Sequence, residues 1–168
     1  LLSQFGRAFE VVPADLDEDG LTTSDPEETA RILSLAKARH VLALRPEALV
    51  MGGDTVVALG NRQFGKPRDA AEAASILREL SGRTHRVLSG LALAWEGGEA
   101  VDVEAAEVEF RVLEEPELLA YAATAEPRDK AGGYAIQGEA AKFIASVRGE
   151  RDCVVGFPTL TFRRLTGL

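Results

Sequence analysis

The chain has 168 residues, 46% of them hydrophobic and 27% charged, which suits one soluble globular domain and excludes a disordered tail. Its 19 Lys and Arg against 27 Asp and Glu leave a net charge of −8, which argues against a general binder of nucleic acid or anionic membrane. One cysteine, Cys153, excludes an internal disulfide and a Cys-rich zinc site, and two histidines, His40 and His85, weigh against a His-based metal centre.

In chain order, the stretch from Glu10 to Glu28 carries eight acidic residues and no basic one. A helix is expected from Pro26 to about Arg45, capped by Ser24 or Asp25, with Glu27 and Glu28 at the positive end of its dipole. Its apolar face runs through Leu33, Ala36, Val41 and Leu44, and helical spacing puts Lys37 on that face. A lysine there either snorkels out to water or reaches an anion. Leu49–Val57 reads as a strand apolar at both faces, interrupted by Gly52-Gly53-Asp54-Thr55. Asp69 then caps a helix through Leu80, with Glu72 at the reciprocal capping position and Gly82 as the stop. Thr84–Trp95 and Ala100–Val112 form an expected hairpin. The apolar parity changes in its second strand, so a bulge is expected near Ala105-Ala106. Pro116 opens a helix through about Ala123, a polar loop runs from Glu126 to Gly133, and a strand follows over Lys142–Val147. A short segment after Gly156 closes the chain.

No stretch approaches the roughly 18 unbroken apolar residues of a membrane span, and no signal-peptide pattern opens the chain, so the cytoplasm is the expected location. Since the chain starts Leu1-Leu2-Ser3 and its single methionine is Met51, an earlier segment is expected to precede Leu1.

Three constellations could carry chemistry. A carboxylate inside an apolar strand is costly unless it is paired, hydrogen-bonded or metal-bound, which singles out Asp54 in Gly53-Asp54-Thr55. Phe64-Gly65-Lys66-Pro67 fixes a loop that presents one ammonium, useful to a phosphate, although an exposed turn lysine is the plainer reading of the tetrapeptide alone. In Glu126–Gly138 the Gly132-Gly133 pair allows close backbone approach, Tyr134 could stack on a base, and Gln137 could read a base edge through its donor and acceptor. Arg83, in Leu80-Ser81-Gly82-Arg83-Thr84-His85, is a further candidate basic contact. Any metal is expected to be a hard divalent cation held by carboxylates and phosphate oxygens.

Taken in order, Phe9–Pro13, Asp15–Glu18, Lys37-Ala38, Gly53-Asp54-Thr55-Val56-Val57, Gly65-Lys66-Pro67, Leu80–His85, Asp129–Gly138 and Val154–Pro158 span nearly the whole chain. This series resembles the Maf family of nucleoside triphosphate pyrophosphatases, relatives of the inosine triphosphate pyrophosphatase fold. The resemblance implies an α/β fold, a single domain over 1–168 with an elongated mixed β-sheet flanked by helices. It implies hydrolysis of a triphosphate, dTTP or UTP in the Ala-Gly-Gly-Tyr-Ala-Ile-Gln-Gly branch, to the monophosphate and pyrophosphate. Matched by position, Asp54 is the proton acceptor, Glu18, Lys37 and Lys66 are acidic and basic site residues, and Thr55 and Gln137 bear on substrate choice, with Arg83 and Lys130 as further substrate contacts. Asp54 and Glu18 would hold the divalent metal, Mg or Mn. The nucleoside triphosphate is the expected partner, beside a homodimer and neither nucleic acid nor membrane. Cys153 stands where the family has Asn, and the family's opening strand and Ser-x-Ser-Pro-Arg-Arg phosphate loop would precede Leu1. Two other readings remain open here: a regulator of septum formation that senses nucleotides without turnover, and an inosine triphosphate pyrophosphatase.

Overall fold

A computed structural model describes residues 6 and 8–167, and the opening Leu1-Leu2-Ser3 lies outside them. Five strands form one open sheet in the order β2-β1-β3-β4-β5, where β1 is Val50–Leu59, β2 Arg62–Phe64, β3 Thr84–Trp95, β4 Gly98–Phe110 and β5 Ile144–Arg148. The helices are α1 Pro26–Leu44, α2 Ala70–Leu80, α3 Glu115–Ala122, α4 Arg151–Val155 and α5 Thr159–Thr166. The α/β class and the flanking of a sheet by helices agree with expectation. The four described pairings are all antiparallel, so the parallel component of a mixed sheet is not among them. Tight turns join β1 to β2 and β3 to β4, and a two-residue hairpin permits only antiparallel neighbours. The sequence reading missed β2 and α4, each too short to show a period.

The caps form much as the residue types dictate. The Asp25 carboxylate accepts from the Glu27 amide at 3.0 Å ahead of α1. Asp69 accepts from the Glu72 amide at 2.8 Å ahead of α2. The Glu72 carboxylate, however, accepts from the Arg68 amide at 2.8 Å, one residue before the position a capping box would use. In α3 the reciprocal box is complete between Glu114 and Glu117.

The face of α1 that meets the sheet matches the expected one in part: Leu33 is buried and Val41 packs against the cluster of Ala38, Val50, Ala92 and Ala94. Ala30, Ser34 and Ala38 are completely buried, whereas Leu44 is 54% exposed and Ala36 only half-buried. The reason is closeness: Gly52 of β1 and Gly90 of β3 lie under this small-residue stripe. A Cβ built on Gly52 would sit 2.6 Å from the Ala38 amide nitrogen, and one on Gly90 would collide with the Ser34 hydroxyl and the Ala30 carbonyl.

The bulge expected near Ala105-Ala106 does not form. β3 and β4 pair without a break from Thr84↔Glu109 to Trp95↔Gly98, and the register shifts instead between Glu109 and Phe110, against β5. The apolar parity changes because different helices cover the two faces at different places. Near the turn, α1 covers the face of Val101 and Val103. Further along, the opposite face buries Ala106, Val108 and Phe110, the last two in the larger core with Val57, Val87 and residues of α2 and α3. On that same opposite face α5 covers Asp102 and Glu104 through polar contacts: Arg164 pairs with Asp102 at 2.5 Å, and the Thr161 amide donates to Glu104 at 3.0 Å.

Candidate active site

The register of β1 places Asp54 opposite Gly90 and Thr55 opposite Ser89, so the two neighbours point to opposite faces of the sheet. Asp54 faces α1. Because α1 is drawn in over Gly52 and Gly90, the Lys37 ammonium reaches the Asp54 carboxylate at 2.5 Å. The same nitrogen lies 2.8 Å from Glu18. Lys37 therefore takes the anion rather than the solvent, and it bridges two carboxylates that would otherwise repel each other. The loop that brings Glu18 here is tied down on two sides. The Leu21 amide donates to the Glu18 carbonyl at 3.0 Å, and the Gln63 amide of β2 donates to the Thr23 carbonyl at 2.7 Å.

Burial pushes the Asp54 carboxyl above its ordinary range, and the hydrogen bond from Lys37 works against that rise. Burial alone would lower the Lys37 ammonium, but its bonds to Asp54 and Glu18 hold it above its ordinary value. With a side chain only 13% exposed, Asp54 is an anion kept ionised by one bonded ammonium.

Two cavities meet at Asp54, Thr55, Lys66 and Ala131. The first, of about 360 Å³, runs past Gly53, Val57, Val87, Tyr134 and the turn Val154-Val155-Gly156. The second, of about 430 Å³, is bordered by Glu18, Thr22, Thr29, Leu33 and the segment Gln63–Gly65. Lys66 is exposed and makes no ion pair within 4 Å among the described residues, so its ammonium is available at the junction. Its loop is fixed to the glycine pair by a bond from the Gly132 amide to the Gly65 carbonyl at 3.1 Å. Gly132 has φ +71°, and a Cβ there would stand 2.8 Å from Val57, so the position demands glycine twice over.

The structure thus brings together Asp54, Glu18, Lys37, Lys66 and Thr55, with Lys130 on the rim of the first cavity, paired to Asp129 at 2.6 Å. Arg83 and Gln137 stand apart. Arg83 is exposed at the foot of β3, seven positions from Gly90 and about 20 Å along the strand. Gln137 is exposed in the turn after Ile136, and neither residue borders the two cavities. Tyr134 is not a stacking platform. It is 5% exposed, its hydroxyl lies 2.8 Å from His85 Nε2, and its ring meets Phe110 edge-on at 4.9 Å. It is a fixed wall.

Four residues not named as site candidates from the sequence also shape the site. Asp129 borders the first cavity, and only its place in the quoted loop hinted at that. Ser89 is completely buried beneath Thr55, 2.9 Å between hydroxyl oxygens, and donates to the Cys153 carbonyl at 2.7 Å. Gly156, at φ +99°, lets the backbone pass so close that a Cβ would lie 3.2 Å from the Thr55 hydroxyl. Val155 completes that wall. The Cys153 side chain itself turns inward, and burial pushes its thiol up to about 11, which removes it as a nucleophile. The contact to the neighbouring wall is made by its backbone carbonyl, which any residue supplies.

As for a divalent ion, no group of three or more metal-ligating side chains occurs among the described residues. Asp54 and Glu18 are two carboxylates held at one ammonium, a donor set that fits a hard ion whose remaining ligands are water and phosphate oxygens. No helix is long and apolar enough to cross a membrane among the described residues.

A family profile described as Maf-like protein matches residues 1–167. The chain is 45% identical over 158 residues to a dTTP/UTP pyrophosphatase of Thermococcus gammatolerans, which covers 94% of this chain and 84% of the relative. It is 45% identical over 168 residues to a dTTP/UTP pyrophosphatase of Deinococcus radiodurans, covering 99% and 86%. Against a protein of the same name from a Geobacillus species the identity is 40% over 158 residues, covering 94% and 85%.

Proposed function

The chain belongs to the Maf-like protein family, and from that premise we propose that it hydrolyses dTTP and UTP between the α- and β-phosphates, releasing the monophosphate and pyrophosphate. The observation that carries the reading is the Asp54–Lys37–Glu18 arrangement at the junction of two cavities. The first has Val57, Val87, Val154 and Tyr134 along one part of its wall, which suits the faces of a flat base, and Asp129 and Lys130 along another. The second, with Glu18, Asp54 and Lys66, suits the triphosphate and its counter-ion. A cytoplasmic location fits such a substrate.

Asp54 takes a proton from the attacking water, whose oxygen bonds to phosphorus as the bridging oxygen leaves with pyrophosphate. Lys37 keeps the Asp54 carboxylate ionised in its buried setting and fixes its orientation. Lys66, fixed between its glycine and proline, neutralises charge that builds up on the phosphate oxygens. Asp54 and Glu18 are the groups that would hold a divalent ion, which supplies charge neutralisation on the phosphates and lowers the pKa of a water it binds.

Asp54→Asn is the direct test. The amide is near-isosteric but cannot take the proton, so pyrophosphate release from dTTP with Mg²⁺ should fall at least about 100-fold. The melting curve should show a folded protein. A folded variant that turned over at the parental rate would overturn the assignment.

A further inference from the structure

The hydrogen-bond partners of Ser89 fix the direction of a proton at the floor of the first cavity. Ser89 has one hydroxyl proton, and the Cys153 carbonyl, 2.7 Å away, can only accept it. The 2.9 Å contact between Ser89 and Thr55 must then run the other way, with the Thr55 hydroxyl donating to Ser89 Oγ. Ser89 is completely buried, so no water competes for this arrangement. The Thr55 proton is consequently spent inside the protein. Towards the cavity Thr55 offers lone pairs only, and the backbone of Gly156 beside it leaves that side of the hydroxyl uncovered.

We infer that Ser89 is a positioning residue for base selection: by holding the Thr55 hydroxyl as an obligate acceptor, it makes the cavity favour a ring that presents an N–H donor. The imide N3–H of uracil and thymine is such a donor, whereas N3 of cytosine carries a lone pair and would face another lone pair. This inference rests on the proposed dTTP/UTP reading and assigns part of its selectivity to a residue that does not touch the substrate. The buried mismatch penalises cytosine because neither acceptor finds a proton.

The experiment measures kcat/KM for UTP and CTP in the wild-type protein, in Ser89→Ala and in Thr55→Val. In Ser89→Ala the Thr55 hydroxyl is free to donate into the cavity as well as to accept, so the CTP value rises relative to the UTP value and the UTP-to-CTP ratio drops at least about tenfold. A loss for Ser89 acting only as packing would lower both values in proportion; an unchanged ratio therefore overturns the inference. Should Ser89→Ala fail to fold, Thr55→Val decides, because it removes the acceptor: the ratio must again collapse, and a ratio left intact overturns the assignment. A wild-type protein that hydrolysed CTP as readily as UTP would instead overturn the underlying reading of the substrate.

Discussion

His85 is uncharged at neutral pH because burial pushes its pKa down to about 4, and its Nδ1 has no hydrogen-bond partner among the described residues. The unfolded chain binds that proton near pH 6.5, so between pH 6.5 and about 4 the unfolded state holds more protons than the folded one. The stability linked to His85 is therefore complete above pH 6.5 and is lost as the pH falls towards 4, a change of about 3 kcal/mol. His85→Gln keeps a polar partner for Tyr134 without a titrating group. The difference in urea midpoint between this variant and the wild type should change across that interval, in the direction of a relatively weaker wild type at low pH. A difference that does not vary with pH would refute it. The hydrogen-bonded pairs around the site differ in how readily a sequence reveals them. Asp54 stands out as a charge in an apolar strand, and helical spacing turns Lys37 inward, so local patterns point to both partners. Tyr134 looks like an available aromatic in a glycine loop, yet its hydroxyl is held by a residue 49 positions earlier. The direction of the Thr55 proton depends on strand register and on a helix that arrives 64 positions after Ser89, which no local pattern encodes.

Over Gly52 and Gly90, α1 rests on the sheet through backbone and small side chains, and the closeness there depends on the two glycines. Gly52→Ala would put a methyl group against the Ser34 carbonyl and the Ala38 amide, both helix backbone that cannot rotate away. The helix must lift, at a cost of about 1–3 kcal/mol typical of overpacking, read as a lower midpoint in chemical denaturation. Lifting also draws Lys37 from Asp54, so pyrophosphate release should fall further than stability alone explains; normal activity in a destabilised variant would separate the two effects. Elements with a long period or a strong cap were legible in the sequence: α1, α2 and the β3–β4 hairpin fall within a few residues of expectation. The small-residue face of α1 was not, because hydrophobic periodicity ranks Leu44 above Ser34, and only proximity to glycine reverses that order. The misplaced bulge has a similar origin. Alternation records which face meets apolar groups, and in β4 that face differs between its two ends.

For the molecule as a whole, the net charge of −8 opposes an anionic substrate, and at the junction of the cavities Lys66, with no ion pair within 4 Å among the described residues, is the cation left to offset it. A divalent ion held by two carboxylates and completed by phosphate oxygens would join with the nucleotide rather than with the folded protein alone. Excess chelator should therefore stop pyrophosphate release while leaving the melting temperature of the substrate-free protein in place. A drop of several degrees on chelation would mean a resident ion supports the fold. The alternation of Asp54 and Thr55 across β1 has a consequence for the size of what can be cut. Consecutive residues of one strand are joined by a covalent unit that does not stretch, so the Cα atoms that carry the carboxylate and the hydroxyl stay about 3.8 Å apart whatever the surrounding loops do. On the proposed reading, a nucleotide that straddles the strand would be measured against that interval as against a caliper. One whose scissile phosphate lies nearer to or further from its ring has its reactive bond carried past the carboxylate, even when both of its ends are well accommodated.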